Sequence, residues 1–131
     1  MLEAIVAFLL ADTTLPKMLG RKKKNEKWLY LRATADLRDS MLYDYTTTRN
    51  DGAVELGRFK CTVICGNMET SRAVEQRLRD MLITKDDRPS VGGAVLKCVQ
   101  NGGGALTDEE RKKTHTILYF DVSGRAQKGC I

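Results

Sequence analysis

One histidine, two prolines and no long apolar run are the first things this chain of 131 residues lacks. A membrane-spanning helix needs about 20 predominantly apolar residues. The apolar stretch in MLEAIVAFLLAD, residues 4–11, is far shorter. It is preceded by Glu3 rather than a basic flank, and no clean small-residue cleavage site follows. An amphipathic first helix is therefore expected, not a secretory signal, and no membrane partner. The scarcity of proline, with 42% hydrophobic and 30% charged residues, excludes a disordered composition.

The single histidine thins the field of catalytic mechanisms. His115 stands between Thr114 and Thr116 in an expected strand, with no neighbouring acid to orient it. No serine has a G-x-S-x-G setting. The four cysteines fall at 61, 65, 98 and 130. Cys61 and Cys65 lie in an alternating strand pattern, and four residues of strand separate them by ~13 Å. Two thiolates each about 2.3 Å from one zinc ion cannot be that far apart. Buried free thiols in a reducing setting are the reading, and Cys130, second from the end, does not make a prenylation box. The adjacent acids Asp86–Asp87 and Glu109–Glu110 fall in expected loops and read as solvated surface. No enzyme activity, cofactor or metal is expected.

What is present is a clear alternation of patterns. Leu2, Ile5, Val6, Leu9 and Leu10 recur at helical spacing, and a second short turn at 15–19 is stopped by Gly20. WLYLRAT, 28–34, and MLYDYTTTR, 41–49, read as strands, the second followed by the hairpin turn Asn50-Asp51-Gly52. In AVELGRFKCTVIC, 53–65, Phe59, Cys61, Val63 and Cys65 face one way while Arg58, Lys60 and Thr62 face the other. Residues 69–83 form an amphipathic helix with Val74, Leu78, Met81 and Leu82 on one face. Glu75 and Arg79 are placed to pair at i,i+4 on the other, and Asn67, Thr70 or Ser71 caps the start. A strand over 91–100, a long connection over 101–113 and a last strand over 114–123 complete the chain. The fold class is α+β: one mostly antiparallel sheet of about five strands with two helices packed on one face. Residues 1–123 form a single domain, and 124–131 a mobile C-terminal tail.

The charge is unevenly placed. Net charge is +5, yet residues 1–35 hold seven Lys and Arg against three acids, while 36–131 hold fifteen against fourteen. GRKKKNEKW, 20–28, supplies most of the excess. Arg21, Lys22, Lys23 and Lys24 are candidate contacts to phosphates or to a partner protein, with Trp28 and Tyr30 near enough for stacking. A nucleic-acid-binding module built on this loop is the alternative reading of function. Against it, the RNA-recognition signature is absent and Phe59 reads as core. NGGG at 101–104 lacks the Lys-Ser/Thr pair and the following helix of a phosphate loop, and reads as a flexible hairpin tip.

The sequence of elements resembles the small tail-completion, or tail-terminator, proteins of long-tailed bacteriophages. The resemblance spans roughly residues 1–123. It is carried by LEAIVAFLLAD with TLPKMLG, by the basic loop leading to WLYLRAT, by GRFKCTVICG feeding NMETSRAVEQRLRDMLI, by the glycine-softened strand, and by the closing HTILYFDVSGR. KKKNEKW stands where a proline-containing segment is expected in that family. The resemblance implies a structural virion protein that forms a ring, commonly six-fold. The ring sits at the head-proximal end of the tail, reached from the host cytoplasm during assembly, and ends the tail tube where the head connector joins. Its partners would then be further copies of itself, a tail tube protein, a head–tail connector protein and DNA passing through the lumen. Leu42, Tyr43 and Tyr45 of the second strand are the candidate ring interface, and the loops at 84–93 and 101–113 are candidates to order on docking.

Overall fold

The structure is a computed structural model and describes residues 1–23, 25–86 and 88–125. Helix α1, Leu2–Leu10, buries Ile5 and Leu9, four residues apart on one face. Asp12 accepts a hydrogen bond from the Leu15 N–H at 2.8 Å, which starts the short helix α2, Thr14–Met18. Gly20, at φ 79°, then turns the chain out of α2, a conformation open to glycine at little cost.

Five strands follow: β1 Leu29–Leu31, β2 Ser40–Asn50, β3 Val54–Cys65, β4 Val95–Asp108 and β5 Lys113–Arg125. They form one sheet in the order β1-β2-β3-β5-β4. Every pairing is antiparallel except that of β1 with β2, which is parallel, so the α+β sheet is mixed. The Asn50–Gly52 turn closes the β2–β3 hairpin as expected, with Asn50 accepting from the Gly52 N–H and Asp51 from the N–H groups of Ala53 and Val54. Helix α3, Met68–Leu82, carries the chain from β3 to β4, and β5 inserts between those two strands. The Asn67 side chain caps α3 by accepting from the Glu69 N–H at 2.8 Å, and Glu75 and Arg79 pair at 4.0 Å across one turn.

One face of the sheet holds the core. Met41 on β2, Phe59, Cys61 and Val63 on β3, and Leu118 and Phe120 on β5 meet Ile5, Leu9, Leu15, Val74 and Leu78 from the three helices. A buried hydrogen bond between the hydroxyls of Ser71 and Thr116, 3.2 Å, ties α3 to β5 across that interface. Asp12 accepts from Arg77 at 2.5 Å and so ties the α1–α2 corner to α3.

Several expectations need correction. The first strand is three residues, not seven, and Trp28 lies before it. Among the described residues there are three α-helices, because the turn after Asp12 is itself an α-helical element. The largest change concerns 101–113: β4 runs through the glycines to Asp108, and the β4–β5 connection is the turn at 109–112. The NGGG run is therefore part of an edge strand and not a hairpin tip. Its glycines accommodate a bulge between Gln100 and Gly103, where Gly102 has φ 92°. Gly124 and Arg125, expected in the tail, belong to β5; residues 126–131, including Cys130, lie outside the described residues, as do Lys24 and Asp87.

Candidate functional site

The basic loop is built around a side chain that does not face solvent. Arg21 is 4% exposed. Its guanidinium donates to the Lys27 carbonyl at 3.0 Å, the Leu19 carbonyl at 2.8 Å, the Ser40 hydroxyl at 3.1 Å and the Asp36 carboxylate at 3.4 Å. Asp36 also accepts from Arg38 at 2.8 Å and from the Tyr30 hydroxyl at 2.6 Å. The Arg38 and Tyr30 hydrogen bonds hold the Asp36 carboxyl well below the usual carboxylate range. The planar fork of an arginine suits this use, reaching two carbonyls, a hydroxyl and a carboxylate at once. Trp28 is buried in the core at 5% exposure, and Lys27 lies over the Tyr30 ring at 5.0 Å. The residues proposed for one surface thus separate. Arg21 and Trp28 are committed to the interior and do not form a contact surface. Lys22 and Lys23 remain exposed, and Lys24 lies outside the described residues.

The second group, Leu42, Tyr43 and Tyr45, also divides. Successive strand residues point to opposite faces. Tyr43 and Tyr45 lean on the core, Tyr43 stacking on Phe59 with ring centroids 6.3 Å apart. The Tyr45 hydroxyl donates to Glu55, and its ring lies over Gly57, where a Cβ would overlap it. Leu42 lies on the opposite face, beside Arg32, Asp44, Lys60 and Thr62. That face carries no helix. It bears Arg58 paired with Asp121, Tyr119 beneath Arg58, and the partly exposed apolar side chains Leu56 and Val99.

The uncovered edge of β4 is the structural feature least visible in the sequence. β1 covers β2 only from Met41 to Tyr43, and among the described residues the outer side of Asp44–Asn50 is open. At the other end, the outer side of β4 is partly closed. Ser90 exchanges main-chain hydrogen bonds with Val95, and Thr84 bonds both the N–H and the carbonyl of Cys98. Among the described residues no segment pairs with β4 beyond Cys98. The open run from Val99 to Thr107 contains no charged residue, and Leu106 on it is 65% exposed.

His115 lies on the helix-free face with its Nε2 3.8 Å from Asp108, too far for a hydrogen bond, in an open hollow with Leu106, Glu109 and Glu110. Its neighbouring acid is brought by the β4–β5 hairpin and was not visible in the local sequence. Burial pushes the thiols of Cys65 and Cys98 up to about 12 and that of Cys61 further, so all three are held as unreactive thiols.

This arrangement of helices and sheet has a solved counterpart. The chain is similar to a protein chain in the structure described as the virion of a native gene transfer agent particle, with a TM-score of 0.67 and 17% sequence identity. The likeness covers 95% of this chain and 93% of that one. At this identity it is the fold that is shared. No protein-family model matches the chain, and no match was found among curated proteins.

Proposed function

We propose that this chain is a structural virion protein of the tail-terminator kind. In this reading copies of it close into a six-fold ring at the head-proximal end of the tail. The ring ends the tube and presents a face to the head–tail connector. The observation that carries the reading is the likeness of fold, over nearly the whole of both chains, to a component of the gene transfer agent virion. The open edges of the sheet support it from another side. A ring is made of contacts between two different surfaces of one subunit, and a sheet with two partly uncovered edges offers two such surfaces.

The exposed Lys22 and Lys23 are what the basic loop contributes. In a ring they would meet an acidic face of an adjoining ring or the DNA that passes through the lumen. Arg21 is the anchor that shapes the loop.

The role is tested by removing the chain from particle assembly. Tubes of unregulated length, or full heads without tails, are the expected products. Normal particles with tubes of normal length joined to heads would overturn the proposal.

A further inference from the structure

Natural sheets blunt an exposed edge with charge, proline, a short strand or a covering segment, because a row of unpaired N–H and carbonyl groups recruits another strand. β4 uses cover for its first half only. Ser90 occupies the edge at Val95 and Thr84 occupies it at Cys98. From Val99 to Thr107 there is no charge, no proline and no covering segment among the described residues, though a bulge lies within the run. The main-chain direction of this run follows from Cys98. Its N–H and carbonyl point outward to Thr84, and partners alternate along an antiparallel ladder. Counting along the pairings with β5, Gln100 opposite Phe120, Gly103 opposite Leu118 and Ala105 opposite Thr116 also turn their main-chain groups outward.

β2 gives the matching half. Met41 donates to Trp28 and Tyr43 accepts from Arg32, both toward β1, so the groups of Tyr45 and Thr47 also point outward, past the end of β1. The Tyr45 N–H has no strand to bond and donates instead to the Asp44 carboxylate at 2.8 Å. Tyr45–Thr48 is uncharged and rich in the β-branched residues that favour strands.

These edges bound the two sides of one sheet. β4 runs antiparallel to β5, β5 to β3 and β3 to β2, so β4 is antiparallel to β2. A second copy set beside the first, with its helices on the same side, therefore presents its β2 edge to the β4 edge in antiparallel sense. Neither uncharged run would bury an unpaired charge on meeting the other.

We infer that the open β4 edge, Gln100–Thr107, pairs with the open β2 edge, Tyr45–Thr48, of a second copy, so that the sheet continues across the subunit boundary. This rests on the ring reading and names the surfaces that build it. The contact is head-to-tail: each copy uses one edge as donor of the contact and the other as its receiver.

Two substitutions test it. Ala105→Pro removes an outward N–H from the β4 edge and leaves the β5 ladder intact, since proline is tolerated on edge strands. Thr47→Pro does the same on β2. Sedimentation of the full chain at high concentration should show a multi-subunit species for the unaltered protein, and the 14.7 kDa monomer for each variant alone. Mixed in equal amounts, the variants keep one good edge of each kind and should stop at a species of twice the monomer mass. If the unaltered chain assembles and both variants assemble equally well, the edge pairing is wrong while the ring survives. If the unaltered chain stays monomeric at every concentration, both fall. Circular dichroism and melting report whether each variant is folded. Where one is not, Ala105→Cys and Thr47→Cys chains with Cys130→Ser are mixed and treated with a short bismaleimide. A covalent dimer that needs both cysteines supports the pairing, and its absence in assembled protein contradicts it.

Discussion

At the scale of single residues, Arg21 shows how charge in a sequence misleads. Within GRKKKNEKW it looks like the first of four equivalent cations. Its partners Asp36 and Ser40 lie fifteen and nineteen residues later, so no local pattern distinguishes it from Lys22. Only the fold of the loop over the start of β2 buries one and leaves the other exposed. Leaving a buried partner set without its charge costs about 3 kcal/mol or more, whereas surface changes usually stay within about 0.5 kcal/mol. Arg21→Ala is therefore expected to lower the stability measured by urea unfolding by about 3 kcal/mol. Arg21→Lys is expected to recover little of it, because an ammonium cannot reach four acceptors in the fork geometry of a guanidinium. Lys22→Ala and Lys23→Ala are expected to leave the unfolding curve in place. A loss at Lys22 equal to that at Arg21 would contradict this assignment. Trp28 followed the same logic: an aromatic beside lysines suggested a stacking surface, and burial against the core made it packing instead.

At the scale of elements, what was legible depended on which physical signal each segment carries. α3 was readable to within a residue at each end, because its apolar face repeats at helical spacing and Asn67 stops the preceding strand. The alternation in β3 named its core face, Phe59, Cys61 and Val63, all fully buried. β4 was half missed. Glycine has low strand propensity, so a run of three reads as a break. In the fold, the partner strand β5 supplies the order that the glycines do not, and the bulge at Gln100–Gly103 uses their freedom of φ. The parallel pairing of β1 was likewise invisible, since three residues carry no sense of direction. The Asn67 cap is a local contact that can be tested in isolation. Asn67→Ala removes the acceptor for the Glu69 N–H and is expected to cost about 1 kcal/mol in denaturant unfolding, with Asn67→Asp close to neutral. An unchanged midpoint for the alanine variant would show that the helix start is held by other contacts.

At the scale of the whole molecule, the core and the periphery are built on different terms. The helix-covered face is closed: Phe59 and Phe120, opposite one another on adjacent strands, are fully buried, as are Ile5, Leu9 and Leu78 from the helices. The periphery is open at both sides of the sheet, and the apolar side chains left outside, Leu31, Val99 and Leu106 among them, sit on or near those sides. Element order and the closed face were readable in the sequence because hydrophobic period records burial within the chain. Edges were not, because a strand's position in a sheet depends on which neighbours it fails to have. The proposed role follows from that asymmetry: a compact subunit, of the fold found in a virion component, with its unsatisfied main chain turned outward on two sides. The most direct test is the mass of the purified full chain in solution at high concentration, read by light scattering or native mass spectrometry. The account predicts a closed assembly of a single size, a small whole multiple of the 14.7 kDa subunit that does not grow further with concentration. A monomer at every concentration, or an open-ended series that lengthens without limit, would contradict it.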